Sequence, residues 1–328
     1  MPPIKFGVGL YGTDSAQEAV KLGQLADELG YDRFWIGDSN MIWRELYVLA
    51  GAIAATTKRI AIGPGVTHLA GRHITVTASA MVTLHELSGG RVFLGFGVGA
   101  SGPANIGMKP IGVDEIEANI ETLQKLFGGE SVEINGKQAK CLFPCGSLPI
   151  YIGTRAPRVM KMACRVADGF IHSGESPVLQ ELVNQIRGYT REAGRESHSV
   201  EFVYRLPCAI DNDPATAREA VKSVVARTAM TQLGRLYDRD KLDNEDDRRA
   251  IERMRREYDT YHHMDAVHSY LVRDEWVERF ALAGATDRIK NKVQEFADAG
   301  IDELTIIPCG KSRRAVIENF AKAAIARS

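Results

Sequence analysis

A net charge is the first thing this chain lacks. Its 328 residues carry 41 lysines and arginines against 42 aspartates and glutamates, a formal charge of -1 at pH 7. That balance provides no basic stripe for nucleic acid and no electrostatic attraction to an anionic membrane. Cysteine is sparse too: Cys141, Cys145, Cys164, Cys208 and Cys309 make an odd set of five. Cys141 and Cys145 have no second ligand pair at zinc-site distance, which leaves reduced, structural thiols. No HxH or HExxH occurs among the histidines, so no metal is expected. The N-terminus lacks a basic segment followed by a long apolar run, and no stretch approaches the length of a membrane span. A cytoplasmic, soluble protein is expected.

What is present is a 45% hydrophobic composition in strict alternation. Eight β-branched or aromatic runs are predicted as strands: 4–10, 33–37, 60–67, 92–97, 149–153, 169–172, 200–210 and 304–308. Amphipathic stretches at 15–29, 46–57, 74–87, 114–127, 157–167, 177–193, 214–228 and 286–299 are predicted as helices. "ADELGYDRFWIG" and "FADAGIDELTII" share one grammar: a helix, a terminating glycine (Gly30, Gly300), then a buried strand. Asp213-Pro214 and Ser176-Pro177 mark helix starts. Eight strand–helix alternations predict a single TIM (β/α)8 barrel over 1–328, with a doubly wound sheet as the alternative. Residues 229–280, highly charged with helical spacing, form a helical insertion between strands seven and eight. It reads as a solvated helix pair, or as a lid or oligomer contact over the barrel mouth.

In such a barrel the chemistry collects at the C-terminal strand ends. Those ends read "GLYG", "IGDSN", "GVTH", "GFGVGAS", "GTRAP", "HSGES", "RLPCAI" and "PCGKS". Recurrent glycine lets a planar or phosphorylated ligand approach the backbone. The third strand is broken by Gly63-Pro64-Gly65, which marks a bulge or a close backbone approach. Gly97-x-Gly99-x-x-Gly102 spells GxGxxG but follows the fourth strand and opens no helix directly, so a dinucleotide fingerprint is set aside. "HSGESP" could cradle a phosphate at a helix N-terminus, and an ordinary N-cap accounts for the same residues. Asp38 and His68 lie at strand ends. Asp38 could cap the following helix or face a substrate.

"IGPGVTHLAGRHITVTASAMVTLHELSGGRVFLGFGVG" resembles the signature region of the bacterial-luciferase-like flavin oxidoreductases, in particular the branch of the F420-dependent methylenetetrahydromethanopterin reductases. "PIYIGTRAPRVMKMACRVADGFIHSG" and "FALAGATDRIKNKVQEFADAGIDELTIIP" resemble the same branch. The resemblance implies a barrel that binds FMN or the deazaflavin F420 at its mouth. It places a strand-three bulge with a non-prolyl cis peptide at Gly65-Val66-Thr67, against the ring. Gly97, Val98 and Gly99 would line the ring, and Gly153, Thr154, Ser173, Gly174 and Glu175 would face the ribityl and phosphate portion. Two departures stand out: His68-Leu69-Ala70 replaces the branch's Asn-Pro-Tyr, and Ser39 occupies a position that is often histidine. The first bears on the pterin substrate of that branch.

The expected activity is hydride transfer between reduced F420 or FMN and a small organic substrate, with Asp38 and His68 positioning substrate or relaying a proton. The alternatives are a two-component monooxygenase fed by a separate flavin or F420 reductase, and a non-catalytic flavin-binding protein. A hydrolase or aldolase would lean on Lys311, which reads better as a solvated lysine. A homodimer is expected.

Overall fold

The computed structural model describes residues 4–99, 101–109, 111–259 and 266–325. Its strands are β1 (Lys5–Leu10), β2 (Arg33–Ile36), β3 (Ala61–Pro64), β4 (Leu94–Phe96), β5 (Val132–Ile134), β6 (Lys137–Ala139), β7 (Ile150–Gly153), β8 (Gly169–His172), β9 (Glu201–Ile210), β10 (Leu282–Gly284) and β11 (Glu303–Pro308). Eight of them run in the order β3-β2-β1-β11-β9-β8-β7-β4, and every neighbour pair is parallel. Parallel bridges from Ile62 to Val92 and from Thr67 to Phe96 join β3 to β4 across the last seam. This is the expected TIM barrel. Helices cover the outside, so strand residues such as Val8, Phe34, Ile62, Ile152 and Leu304 are buried against them.

The glycines of strand three have a packing reason. A Cβ on Gly63 would stand 2.1 Å from the Phe93 carbonyl oxygen, closer than any side chain tolerates. The N-terminal end of the barrel is closed by a polar plug. Arg33 donates to Glu303 at 2.5 Å and to Glu201 at 2.8 Å, and Trp35 Nε1 donates to Glu303 at 2.7 Å. Ions at that face stabilise the barrel and leave the other end for chemistry.

Several features differ from the sequence expectation, among them two helices it did not include, Ser101–Asn105 and Arg313–Phe320. The antiparallel hairpin β5–β6 turns through Asn135 and Gly136, both at positive φ, as a two-residue turn requires. The short strand β10 adds to β9 outside the eight-strand path. The helix predicted to end at Thr228 runs unbroken over Pro214–Asp238, because Ala229 and Leu233 continue its buried face.

The charged stretch beyond that helix is not simply solvated. Helices Glu245–Glu257 and Asp274–Phe280 bury Ile251, Met254, Trp276 and Phe280 with Val221, Val225 and Leu233 in a second core that also takes in Ala209 and Ile307 of the barrel strands. At its centre the buried Asp247 accepts from Arg273 at 2.6 Å, Trp276 Nε1 at 2.7 Å and Arg279 at 2.8 Å. Such a carboxylate is tolerable because its acceptor sites are filled by cations and N–H donors.

Candidate active site

A cavity opens at the C-terminal mouth, lined along one side by Gly65, Val66, Gly97, Val98, Gly99, Gly153 and Thr154. After β3 the chain enters a cis Gly65-Val66 peptide. Its backbone is stitched between neighbours: Gly65 N–H donates to Ile36 at 2.7 Å and Thr67 N–H to Gly95 at 2.9 Å, and Gly97 N–H donates to Thr67 at 3.0 Å. The Val66 methyls fill the space that a Cβ on Gly97 or Gly153 would need, at 3.1 Å from each. Glycine at those two strand ends therefore lets Val66 seat against the backbone, and together they line one wall of a slot.

Asp38 stands at the end of β2 with its carboxylate nearly buried. It accepts the Thr67 hydroxyl at 2.7 Å and both terminal nitrogens of Arg72, which also reaches Glu45 at 2.8 Å. Thr67 is fully buried and turns its hydroxyl to Asp38, so it braces the wall without lining the cavity. His68 lines the cavity, is 2% exposed, and has neither ring nitrogen bonded. Its Nε2 lies where a Cβ on Gly102 would fall, at 2.4 Å, so the glycines of the β4 loop make room for the ring. Burial pushes the His68 pKa below its ordinary 6.5; Asp38 opposes the shift and Arg72 reinforces it. The imidazole is neutral at physiological pH, with one donor and one acceptor available.

The opposite wall is cationic. Arg155, Arg205, Arg227 and Arg235 all line the cavity. Arg155 Nε donates to the Ser173 carbonyl at 2.8 Å; Arg205 Nε donates to the Ser173 hydroxyl at 3.1 Å and its Nη1 to the Gly65 carbonyl. Arg227 sits over the Tyr11 ring at 5.5 Å. None of the four has a carboxylate partner among the described residues. Burial, compounded by the charges of Arg227, Arg235 and Arg205, lowers the Arg155 pKa to about 9. Desolvated cations without counter-charge call for an anionic ligand. Glu175, grouped with this wall from the sequence, does not line the cavity. Arg279 holds its carboxylate through two bonds, at 2.8 and 3.1 Å, and the same guanidinium reaches Asp247.

The structure thus brings together Asp38, His68, Gly65, Val66, Gly97, Val98, Gly99, Gly153, Thr154, Ser173 and Gly174 around one cavity. Sequence reasoning missed Arg205, Arg227, Arg235, and the Tyr11–Trp43 pair, whose rings lie 4.8 Å apart on the third side. A signal existed for the three arginines. Arg205 interrupts a ten-residue apolar strand, and Arg227 and Arg235 are spaced i, i+8 with Thr231 between, on one helix face. Among the described residues no group of three His, Cys, Asp or Glu could hold a metal, and no helix is long and apolar enough to cross a membrane.

A closed parallel barrel with a glycine-lined slot and an arginine wall at its mouth is a site shaped for a flat, anionic ligand. The chain belongs to the luciferase-like monooxygenase family, whose model matches residues 3–303. It is 27% identical to the 5,10-methylenetetrahydromethanopterin reductase of Methanolobus tindarius over 333 residues, covering 97% of this chain and 99% of that one. It is 29% identical to the F420-dependent glucose-6-phosphate dehydrogenase of Nakamurella multipartita over 248 residues, covering 66% and 71%. The fold superimposes with a TM-score of 0.84 on the F420-dependent tetrahydromethanopterin reductase of Methanopyrus kandleri, at 24% identity and covering 98% and 99%.

Proposed function

We propose that this chain is an F420-dependent oxidoreductase acting on a small organic substrate. The observation that carries the reading is the pairing of a glycine-lined slot with four guanidiniums that lack carboxylate partners. The slot fits a planar ring, and the cations fit a phosphorylated tail bearing further carboxylates. When bound, the ring supplies the hydride donor or acceptor. Gly65, Val66, Gly97, Val98, Gly99, Gly153 and Thr154 would hold the ring, and Ser173, Gly174 and Arg155 its tail. Arg205, bonded to both Gly65 and Ser173, ties the two halves of that cradle together. Neutral His68 offers a hydrogen bond to a substrate oxygen or nitrogen. Asp38, occupied by Arg72 and Thr67, acts by positioning this wall and keeping its charge fixed, not by relaying a proton. The exchange of the branch's asparagine for His68 marks a substrate different from the pterin.

The family also favours a second reading, an FMN-dependent monooxygenase supplied by a separate reductase. Helices Leu46–Thr56 and Ile74–Ser88 expose Val48, Ala52, Ala55, Val76, Ser79 and Thr83, an uncharged face on which two copies would meet as a homodimer. Titration of the purified apo-protein with F420 and FMN separately, followed by ligand fluorescence, tests the cofactor. Micromolar or tighter binding of F420 with far weaker binding of FMN is expected. The reverse order would favour the monooxygenase, and binding of neither would defeat both readings.

A further inference from the structure

A second chamber of about 840 Å³ lies beside the first, between the ends of β1, β9 and β11 and the helix Pro214–Asp238. It shares Tyr11, Val224 and Ile307 with the arginine-walled cavity, so the two are neighbouring compartments of one mouth. Its size is that of a site for a whole small molecule. Small side chains make the room: Ala217, Ala220 and Ser223 follow one another at three-residue spacing along the helix face that lines it. Leu10, Ala209 and Val316 complete an apolar interior. Ser269, only 6% exposed, lines the chamber, and its buried hydroxyl makes no hydrogen bond among the described residues. At the rim Arg313 is paired with Asp14, Glu219 with Lys222, and the Asp211 carboxylate accepts the Asp213 N–H. Lys311 is exposed and has no ion pair among the described residues.

We infer that this chamber takes the hydrocarbon body of an amphipathic organic anion, with a polar group at Ser269 and the charged end at Lys311, and that it forms the substrate half of the site. An apolar cavity rewards hydrocarbon, a buried hydroxyl without a partner rewards one hydrogen-bonding group, and a free rim cation rewards one negative charge. Chemically the class is a carboxylate carrying an alkyl or aryl body. Its place beside the ring rests on the oxidoreductase reading; the binding itself does not.

Dodecanoate is the probe, titrated into the full chain by calorimetry, with dodecanol as its uncharged counterpart. One-to-one binding of dodecanoate at micromolar to submillimolar Kd is expected. Ser223→Phe, which fills the chamber from a half-buried position, is expected to weaken it at least tenfold. Lys311→Glu, on the surface and harmless to folding, is expected to weaken dodecanoate about tenfold and dodecanol by less than twofold. F420 affinity should stay within twofold of wild type in both variants. Absence of dodecanoate binding, or binding indifferent to both variants, would overturn the inference. Normal dodecanoate behaviour in a protein that binds neither F420 nor FMN would sustain the chamber and defeat the cofactor reading.

Discussion

Arg155 bears an electrostatic load that should be measurable without any ligand. It sits at the end of β7 beside three other guanidiniums, and the only hydrogen bond it donates to protein among the described residues is Nε to the Ser173 carbonyl. The fall of its pKa from 12.5 to about 9 corresponds to roughly 5 kcal/mol of unfavourable free energy in the charged form, at about 1.4 kcal/mol for each pH unit. A guanidinium does not give up its proton at neutral pH, so this load is expressed as lost stability and not as a titration. Water reaching the open mouth screens part of it, and the lost bond to Ser173 subtracts about 1 kcal/mol more. Arg155→Met should therefore make the apo-protein more stable by about 1–3 kcal/mol. For a chain of this length that is a rise in Tm of roughly 2–5 °C. The same substitution removes a charge-assisted contact to an anionic tail, so F420 affinity should fall about 10- to 100-fold. Differential scanning fluorimetry and F420 fluorescence titration read the two effects independently. A lower Tm together with unchanged F420 affinity would refute the reasoning, because it would make Arg155 a structural residue.

The neutral state of His68 predicts a pH profile. Its folded pKa lies below 6.5, so the neutral imidazole and the activity that uses it persist as pH falls through 6.5 and are lost only in stronger acid. His68→Asn should remove that acid limb and change KM while leaving F420 affinity unaltered; an acid limb that survives in H68N assigns it to another group. Arg279→Ala should free the Glu175 carboxylate to turn toward the arginine wall and weaken F420 about 5- to 20-fold, and adding Glu175→Gln should restore binding. Failure of the double variant to recover would show that Arg279 acts through the fold of the insertion. Gly63→Ala forces a Cβ against the Phe93 carbonyl and should cost about 2–3 kcal/mol, read as a drop in Tm, with an unchanged Tm as the contrary result.

Much of the barrel was legible because parallel strands buried on both faces read as short apolar runs, and helices end on glycine. The run 169–172 coincides with β8, and the others fall within a few residues of their strands. The misses have local causes. Val132–Ile134 and Lys137–Ala139 are three residues each, too short for periodicity, although Asn135-Gly136 is a two-residue turn signal in its own right. The helix Pro214–Asp238 extends past the predicted end at Thr228: small and uncharged polar residues (Ala229, Thr231, Gln232, Gly234) dilute the apolar period there, while buried Ala229 and Leu233 carry the same face on.

The site divided along the same line. Residues supplied by strand ends could be placed, since the barrel itself sends strand ends to one mouth. Arg227 and Arg235 share one helix face in the sequence, but only tertiary packing lays that face over the cavity. Composition even pointed away from them. A chain with a net charge of -1 gave no reason to look for an anion site, yet four guanidiniums share one cavity while Glu175 is held aside by Arg279. Charge balance summed over a chain bears on extended partners that feel the whole surface field. A small anion feels the field within a few ångströms, where separation of Glu175 from the arginines leaves a strong local excess of positive charge. The near-neutral composition and the cationic pocket are therefore compatible, and the device that reconciles them is the ion pair between the insertion and the β8 loop.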